Sequence, residues 1–478
     1  MKGALHGNDK IISVSRLRLT TAGLLFCCAF AGAAATPHTP PDGSTITVLP
    51  VLLQLSTTPV HEEIPDAHGG FFLVWADSAA ITGPRLTGSH FDARGRAIGE
   101  FKQTLLVPAV STMHDWIAFP DGWGGLALVW SSANQLWVQR YGENLEPVIH
   151  PVMLSRTSPR RPAGIEGGGG ALDIVWAEDQ GDDNHVLKAQ RIDADGQQIW
   201  PEGGVAFSNG ASFQTRAHVQ SDNAGGLIIA WYDIREDKNV SRMKIQRLSI
   251  AGRPLWGAYA KTVVAPVYDL HIEPALEALG EGRVVVGWDA PAANALRYFT
   301  QAYELTGEPV NKQPPRPVSA IPVDKAEAIL YGDDRGNVWV AWTDYRDQRY
   351  WTLFVKKLPP TGEAVWQKPG ILSTYAENQR FPALTTDGRE GIFGIWIGDR
   401  LGKVAVYAQH LNADGDAQWG DYGRPLADLH RAAWHPRLKA LNEGQALAVW
   451  VDEPHKGAWT LNAALLDAGP EPDAKKTR

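Results

Sequence analysis

Eight short stretches of this chain end in tryptophan at nearly constant spacing, and no other feature constrains the fold as much. They are GGFFLVW ending at Trp75, GGLALVW at Trp130, GALDIVW at Trp176, GGLIIAW at Trp231, GRVVVGW at Trp288, GNVWVAW at Trp342, EGIFGIW at Trp396 and GQALAVW at Trp450. Successive tryptophans are 55, 46, 55, 57, 54, 54 and 54 residues apart. A period of this length marks a solenoid or a propeller built from one repeated unit.

Each repeat parses into four short strands. A first strand, such as Ala217–Gln220 or Pro382–Thr385, runs into a Gly/Asp turn. The second strand carries the repeat tryptophan and is apolar throughout, as a strand covered on both faces must be. A third strand alternates, as in Val404–Leu411, and a turn such as Asp195-Gly196, Thr361-Gly362 or Asp414-Gly415 supplies the positive φ of a tight hairpin. The fourth strand is expected to begin near Trp200, Trp256, Trp366 or Trp419, each four residues after the turn glycine. Four antiparallel strands repeated eight times, without helical periodicity, predict an all-β, eight-bladed propeller. The last repeat stops after its third strand, Trp459–Leu466, while the N-terminus supplies an unmatched strand over Ser44–Leu55. That segment is expected to complete the eighth blade and close the ring, which removes exposed sheet edges.

The first 35 residues read as an address. Lys2, Lys10, Arg16 and Arg18 precede an apolar run from Leu19 to Ala35 that ends in Ala33-Ala34-Ala35. This is the pattern of a secretory signal peptide cut near Ala35, with an uncleaved anchor or lipidation as alternatives. The domain plan is therefore a signal peptide over 1–35, one propeller over 36–466 and a disordered tail over 467–478. Cleavage removes four basic side chains and one acidic one, taking the formal charge from −8 to −11. It also removes both cysteines, Cys27 and Cys28, which excludes disulfides, thiolate metal sites and cysteine nucleophiles from the mature chain. The acidic balance argues against nucleic-acid and anionic-lipid binding, and no later segment approaches 18 uninterrupted apolar residues, so no membrane insertion is expected after cleavage. The expected location is secreted or periplasmic.

The fullest repeats, Gly225-Gly226-Leu-Ile-Ile-Ala-Trp231-Tyr-Asp233-Ile-Arg235 and Gly336-Asn-Val-Trp-Val-Ala-Trp342-Thr-Asp344-Tyr-Arg346, resemble the GG-hydrophobic-W-x-D-x-R repeat of bacterial secreted propellers of mostly unassigned function. The Gln190-Arg191 and Gln246-Arg247 pairs, followed by a turn and then tryptophan, match that pattern too. The resemblance implies a fold without an activity. Thr361-Gly362-Glu-Ala-Val-Trp366 resembles the tryptophan-docking motif of eight-bladed quinoproteins, which implies similar blade packing. Those enzymes pair their quinone with adjacent cysteines, and here the only such pair lies in the signal peptide; no cofactor or metal is expected.

Two sets of residues are candidates for binding. One is the acid and arginine after the repeat tryptophan: Asp233/Arg235, Asp344/Arg346 and, shifted, Asp399/Arg400. Such a row can line a charged pocket, arginine gripping a carboxylate, or can lock a repeated loop. The other set is the tryptophans outside the repeat register: Trp116, Trp123, Trp137, Trp351 and Trp434. The repeat tryptophans themselves are core residues, each burying ~200 Å² at ~25 cal/mol per Å². Asp193-Ala-Asp195-Gly196 and Asn412-Ala-Asp414-Gly415 lack the distal acid of a calcium loop and read as hairpin turns. Gly167–Gly170 reads as a floppy turn. The functional expectation is a monomeric, non-catalytic binding or scaffold module for a glycan, a peptide or another envelope protein. The alternative is a polysaccharide-directed hydrolase or lyase at the channel mouth, or a quinoprotein-type oxidoreductase.

Overall fold

The computed structural model describes residues 44–470, apart from stretches at 50–52, 56–59, 78–82, 100–102, 210–212, 215–216, 236–239, 268–274, 322–324, 359–368, 429–432 and a few shorter gaps. The segment expected to be a signal peptide, Trp366, His271, His430 and the last eight residues lie outside the described residues. The chain folds as an eight-bladed β-propeller, one antiparallel sheet per blade. Blade six shows the plan, with Lys325–Gly332 innermost, then Val338–Asp344, Thr352–Leu358 and the short outer strand Gly370–Ile371. The other innermost strands, in blade order, are Val60–Pro65, Trp116–Pro120, Pro159–Glu166, His218–Ser221, Ala275–Ala278, Gln379–Thr386 and Ala433–Asn442. Each touches the innermost strand of the next blade, and the last touches the first, so they form a ring around a channel.

The second strands explain the ring. In blades two, six and seven every residue of this strand is buried, because a blade covers each of its faces. All eight repeat tryptophans are less than 7% exposed. The hydrophobic clusters of the described residues lie between successive blades rather than within them: Val175 and Leu187 of blade three pack with Val219 and Trp231 of blade four. Blade eight packs on blade one in the same way, through Leu447 and Val449 against Phe71 and Trp75.

Two polar devices recur at the far ends of the blades. In the first hairpin turn an aspartate accepts the backbone N–H groups two and four residues on, as Asp66, Asp121, Asp222, Asp333 and Asp387 all do. In three blades a base from the third strand closes on the other carboxylate oxygen: His90 at 2.8 Å, Arg247 at 2.8 Å and His410 at 2.8 Å. In the second device the third-strand Gln that precedes Arg191, Arg247 or His410 clamps the outer segment. Gln190, Gln246 and Gln409 accept the backbone N–H of Trp200, Trp256 and Trp419. Asp193 and Asn412 likewise accept the N–H groups of their own turns.

Those outer tryptophans do not begin the fourth strands, contrary to expectation. Trp200, Trp256 and Trp419 precede strands that start at Val205, Lys261 and Arg424. They turn instead toward the next blade, where their indole N–H groups donate to Ile250 O, Leu305 O and Ser44 Oγ at 2.8–3.0 Å. A side chain on Gly252 or Gly307 would stand 2.9 Å from the Trp200 or Trp256 ring, so the turn glycine is also the socket for the preceding blade's tryptophan. The outer strand is thereby free to shrink, and in blade five it is reduced to the Phe299–Pro317 bridge.

The ring closes as expected. Thr45–Val48 and Leu53–Leu55 both pair antiparallel with Ala458–Asp467, completing blade eight with N-terminal strand. Trp419 plugs onto Ser44, and Leu49 N–H donates to Ala463 O. Beyond the last strand, Ala468 N–H donates to Gly444 O and Gly469 O accepts Arg389.

Candidate functional site at the channel mouth

The register places the loop after each repeat tryptophan beside the start of the innermost strand, since Asp344 stands opposite Lys325. Both therefore lie on one face, called here the entry face. The innermost strands of blades three, six, seven and eight enter with a bulge, the register slipping at Arg160/Ala163, Ala326/Ile329, Arg380/Ala383 and Trp434/Arg437. Arg161, Glu327 and Phe381 hold φ values of 52°, 51° and 54° in these bulges, a costly backbone region for non-glycine residues. Pro162 and Pro382 follow two of them, at positions where no ladder N–H is required. A carboxylate of the preceding blade compensates the strained residue: Asp115 accepts Arg161 N–H at 2.9 Å, and Glu327 accepts Phe381 N–H at 2.7 Å.

This geometry builds an aromatic surface at the junction of blades six and seven. Tyr345 is 37% exposed and Phe381 41% exposed, with Trp351 half-buried beside them. The Tyr345 and Trp351 rings are 5.5 Å apart. The Arg380 guanidinium lies 5.9 Å from the Trp351 ring and 5.6 Å from the Phe381 ring, and pairs with Glu327 at 2.6 Å. Below, Asn378 accepts Trp351 N–H and donates to Asp399, tying the two loops together.

The candidates from the sequence are dispersed. Trp351 and Asp399 meet at this junction. Asp344 is fully buried, forks onto Arg346 at 2.5 and 2.7 Å and accepts the Trp342 indole, while Arg346 stacks 3.6 Å from the Phe354 ring. Arg400 pairs with Glu377 rather than with Asp399 and stacks on Tyr407. Asp233 is buried opposite Arg242. Arg235 ends its strand and Trp434 lies within one, but both side chains are outside the described residues. Trp116 and Trp137 flank Trp130 in register and pack into the core between blades one and two. Trp123, 56% exposed, sits on a turn of the opposite face beneath Arg140 and against Gly170. The Gly167–Gly170 turn is thus a socket for blade two.

Beneath the rim the channel departs from eightfold likeness. One position before the repeat tryptophan in register, the innermost strands present Ile117, Ala163, Ala275, Ile329 and Ala383, interrupted by Glu62, His218 and Arg437. Glu62 and Arg437 pair at 2.9 Å. Two positions deeper, Gln220 donates to Glu277 at 3.2 Å and Thr385 to Tyr331 at 3.0 Å. Burial raises the Glu277 carboxyl to about 8, only partly offset by Gly332 N–H and Lys439. Burial also acts on Glu63, but His61, Arg437 and Lys439 outweigh it and hold that carboxyl below its ordinary value. Among the described residues no group of three or more His, Cys, Asp or Glu is placed to hold a metal ion.

No protein-family model matches the chain, and no curated protein is significantly similar to it. Solved structures that resemble it do so remotely. A protein of unknown function from Dyadobacter fermentans is 12% identical over 65% of this chain and 94% of its own, with a TM-score of 0.37. An α-L-arabinanase from Penicillium chrysogenum is 10% identical over 65% and 93%, with a TM-score of 0.37. An acylaminoacyl peptidase from Pyrococcus horikoshii is 12% identical over 84% and 58%, with a TM-score of 0.42. Likenesses this remote say nothing about activity.

The residues that sequence reasoning missed are Tyr345, Arg380, Phe381, Glu327, Glu62, Arg437 and Glu277. A signal existed for some: Phe381-Pro382 and Arg161-Pro162 mark the bulges, and Glu62 and Arg437 are charged where blades two, three, five, six and seven carry aliphatic residues.

Proposed function

We propose that the mature chain is an exported, non-catalytic module that binds a neutral glycan along its entry face. The observation that carries this reading is the cluster of Tyr345, Trp351 and Phe381 around Arg380. Flat aromatic faces take the apolar faces of sugar rings, and exposed aromatic anchors beside a planar arginine are the side chains that dominate binding surfaces. Most other aromatics of the described residues are buried between blades, Trp123 and Tyr422 being more than half exposed elsewhere, so an exposed cluster is not a packing requirement. Glu327 neutralises Arg380, which favours an uncharged partner. Calorimetry against neutral oligosaccharides tests the reading. Trp351→Ala and Phe381→Ala are each expected to cost about 2 kcal/mol, roughly 30-fold in affinity, while Trp123→Ala on the opposite face costs nothing. Failure of every neutral glycan to bind, or a loss confined to Trp123→Ala, overturns it.

A hydrolase or lyase acting on the same polymer is the second reading. It is favoured by Glu277, a carboxyl held protonated at neutral pH inside the channel. New chain ends released by the wild type and not by Glu277→Gln would replace the first reading with this one.

A further inference from the structure

The seams between blades are not evenly filled where they meet the channel. Two positions before the repeat tryptophan, blades five to eight place Leu276, Leu330, Leu384 and Leu438. Blades two and three place Ala118 and Gly164 there instead. There an open pocket of about 250 Å³ lies against blades one to four, its lining including Glu62, Ile117, Ala118, Phe119, Gly164 and His218. The Phe119 ring lies over Gly164, where any side chain would collide with it, so an aromatic edge forms part of the wall. The cavity falls just short of the ~300–1,000 Å³ typical of sites for drug-sized ligands, which suits a single ring.

The polar groups at its margin specify the chemistry. Glu62 and Arg437 pair at 2.9 Å, yet their side chains remain 30% and 37% exposed. A carboxylate offers about four acceptor positions and a guanidinium five donors, so this bond, with Glu63 Oε2 at 4.0 Å from Arg437 Nε, leaves both with capacity to spare. An acceptor and a donor held side by side match two neighbouring hydroxyl groups, one donating to Glu62 and one accepting from Arg437. Their charges cancel, and Arg437 also faces the Glu63 carboxylate at 4.0 Å, which disfavours an anionic ligand.

We infer that this cavity is a subsite for one neutral sugar ring, bound through a vicinal diol to Glu62 and Arg437 with its apolar face toward Phe119 and Ala118. The class of ligand rests on the glycan reading above, whereas the location is independent of the aromatic surface at blades six and seven. The test is ligand-observed NMR with free neutral monosaccharides and their single-deoxy analogues, run beside oligosaccharide calorimetry. Ala118→Leu, which introduces the residue of blades five to eight and narrows the pocket, is expected to weaken monosaccharide binding at least tenfold without lowering the melting temperature. Glu62→Gln is expected to weaken it similarly, and Trp123→Ala, on the opposite face, to leave it unchanged. Unaltered monosaccharide binding by Ala118→Leu, equal binding of the deoxy analogues, or oligosaccharide binding with no monosaccharide binding overturns the subsite while the glycan reading stands. Absence of both kinds of binding overturns both.

Discussion

Glu277 shows how far one side chain can depart from its repeat. Blades one to three place Ile64, Phe119 and Ile165 at its position, whereas blades four, six, seven and eight place Gln220, Tyr331, Thr385 and Lys439, and burial favours the neutral form of the carboxyl there. Its pKa of about 8 has a definite consequence for stability. The folded chain holds this proton more tightly than the unfolded chain, so Glu277 costs nothing below the ordinary glutamate pKa. The cost grows as pH rises from there through about 8. Glu277→Gln keeps an acceptor for Gln220 and removes the titration. Melting curves of the variant and the wild type are expected to differ little at pH 5 and to separate in favour of the variant at pH 9. A constant difference across that range would show that the carboxyl is not buried as described.

The hairpin turns carry the repeat's other polar signature. Asp222 Oδ1 accepts N–H groups from Ala224 and Gly226 at 2.8 and 2.7 Å, and Oδ2 meets Arg247. Removing it leaves two N–H donors and a largely buried guanidinium without their partner. Asp222→Ala is expected to cost about 3 kcal/mol in denaturant unfolding, and Asp222→Asn, which retains an acceptor for the turn, clearly less. Equal losses would place the stabilisation in the ion pair rather than in the turn. This device was readable in principle, because an aspartate stands four residues before the second glycine in blades one, two, four and seven. The second strands were legible because burial on both faces leaves a continuous apolar run around one tryptophan. The outer strands were not, because their hold comes from contacts about fifty residues away in the next blade, such as Trp256 on Gly307. The mouth was half legible for the same reason. Trp351 stands out by register, whereas Phe381 and Tyr345 join it only once a bulge and a neighbouring blade bring them together.

Closure sets the stability of the molecule, because each hydrophobic cluster needs two blades and blade eight packs on blade one as well as on blade seven. The N-terminal strand supplies what the last repeat lacks: the edge partner of Ala458–Asp467 and the socket for Trp419. A chain lacking residues 36–55 exposes that edge, a long apolar strand with unpaired backbone groups. Such a chain is expected to melt earlier than the chain of residues 36–478 and to associate in a concentration-dependent manner by light scattering. A synthetic peptide of residues 40–56 added in trans is expected to restore the monomer by pairing with the open edge. A peptide with Ile46 and Val48 replaced by proline cannot complete the ladder and serves as the control. An unchanged melting temperature in the truncated chain would mean that seven complete blades and three strands suffice. The N-terminal strand would then be an edge cover rather than the clasp of the ring.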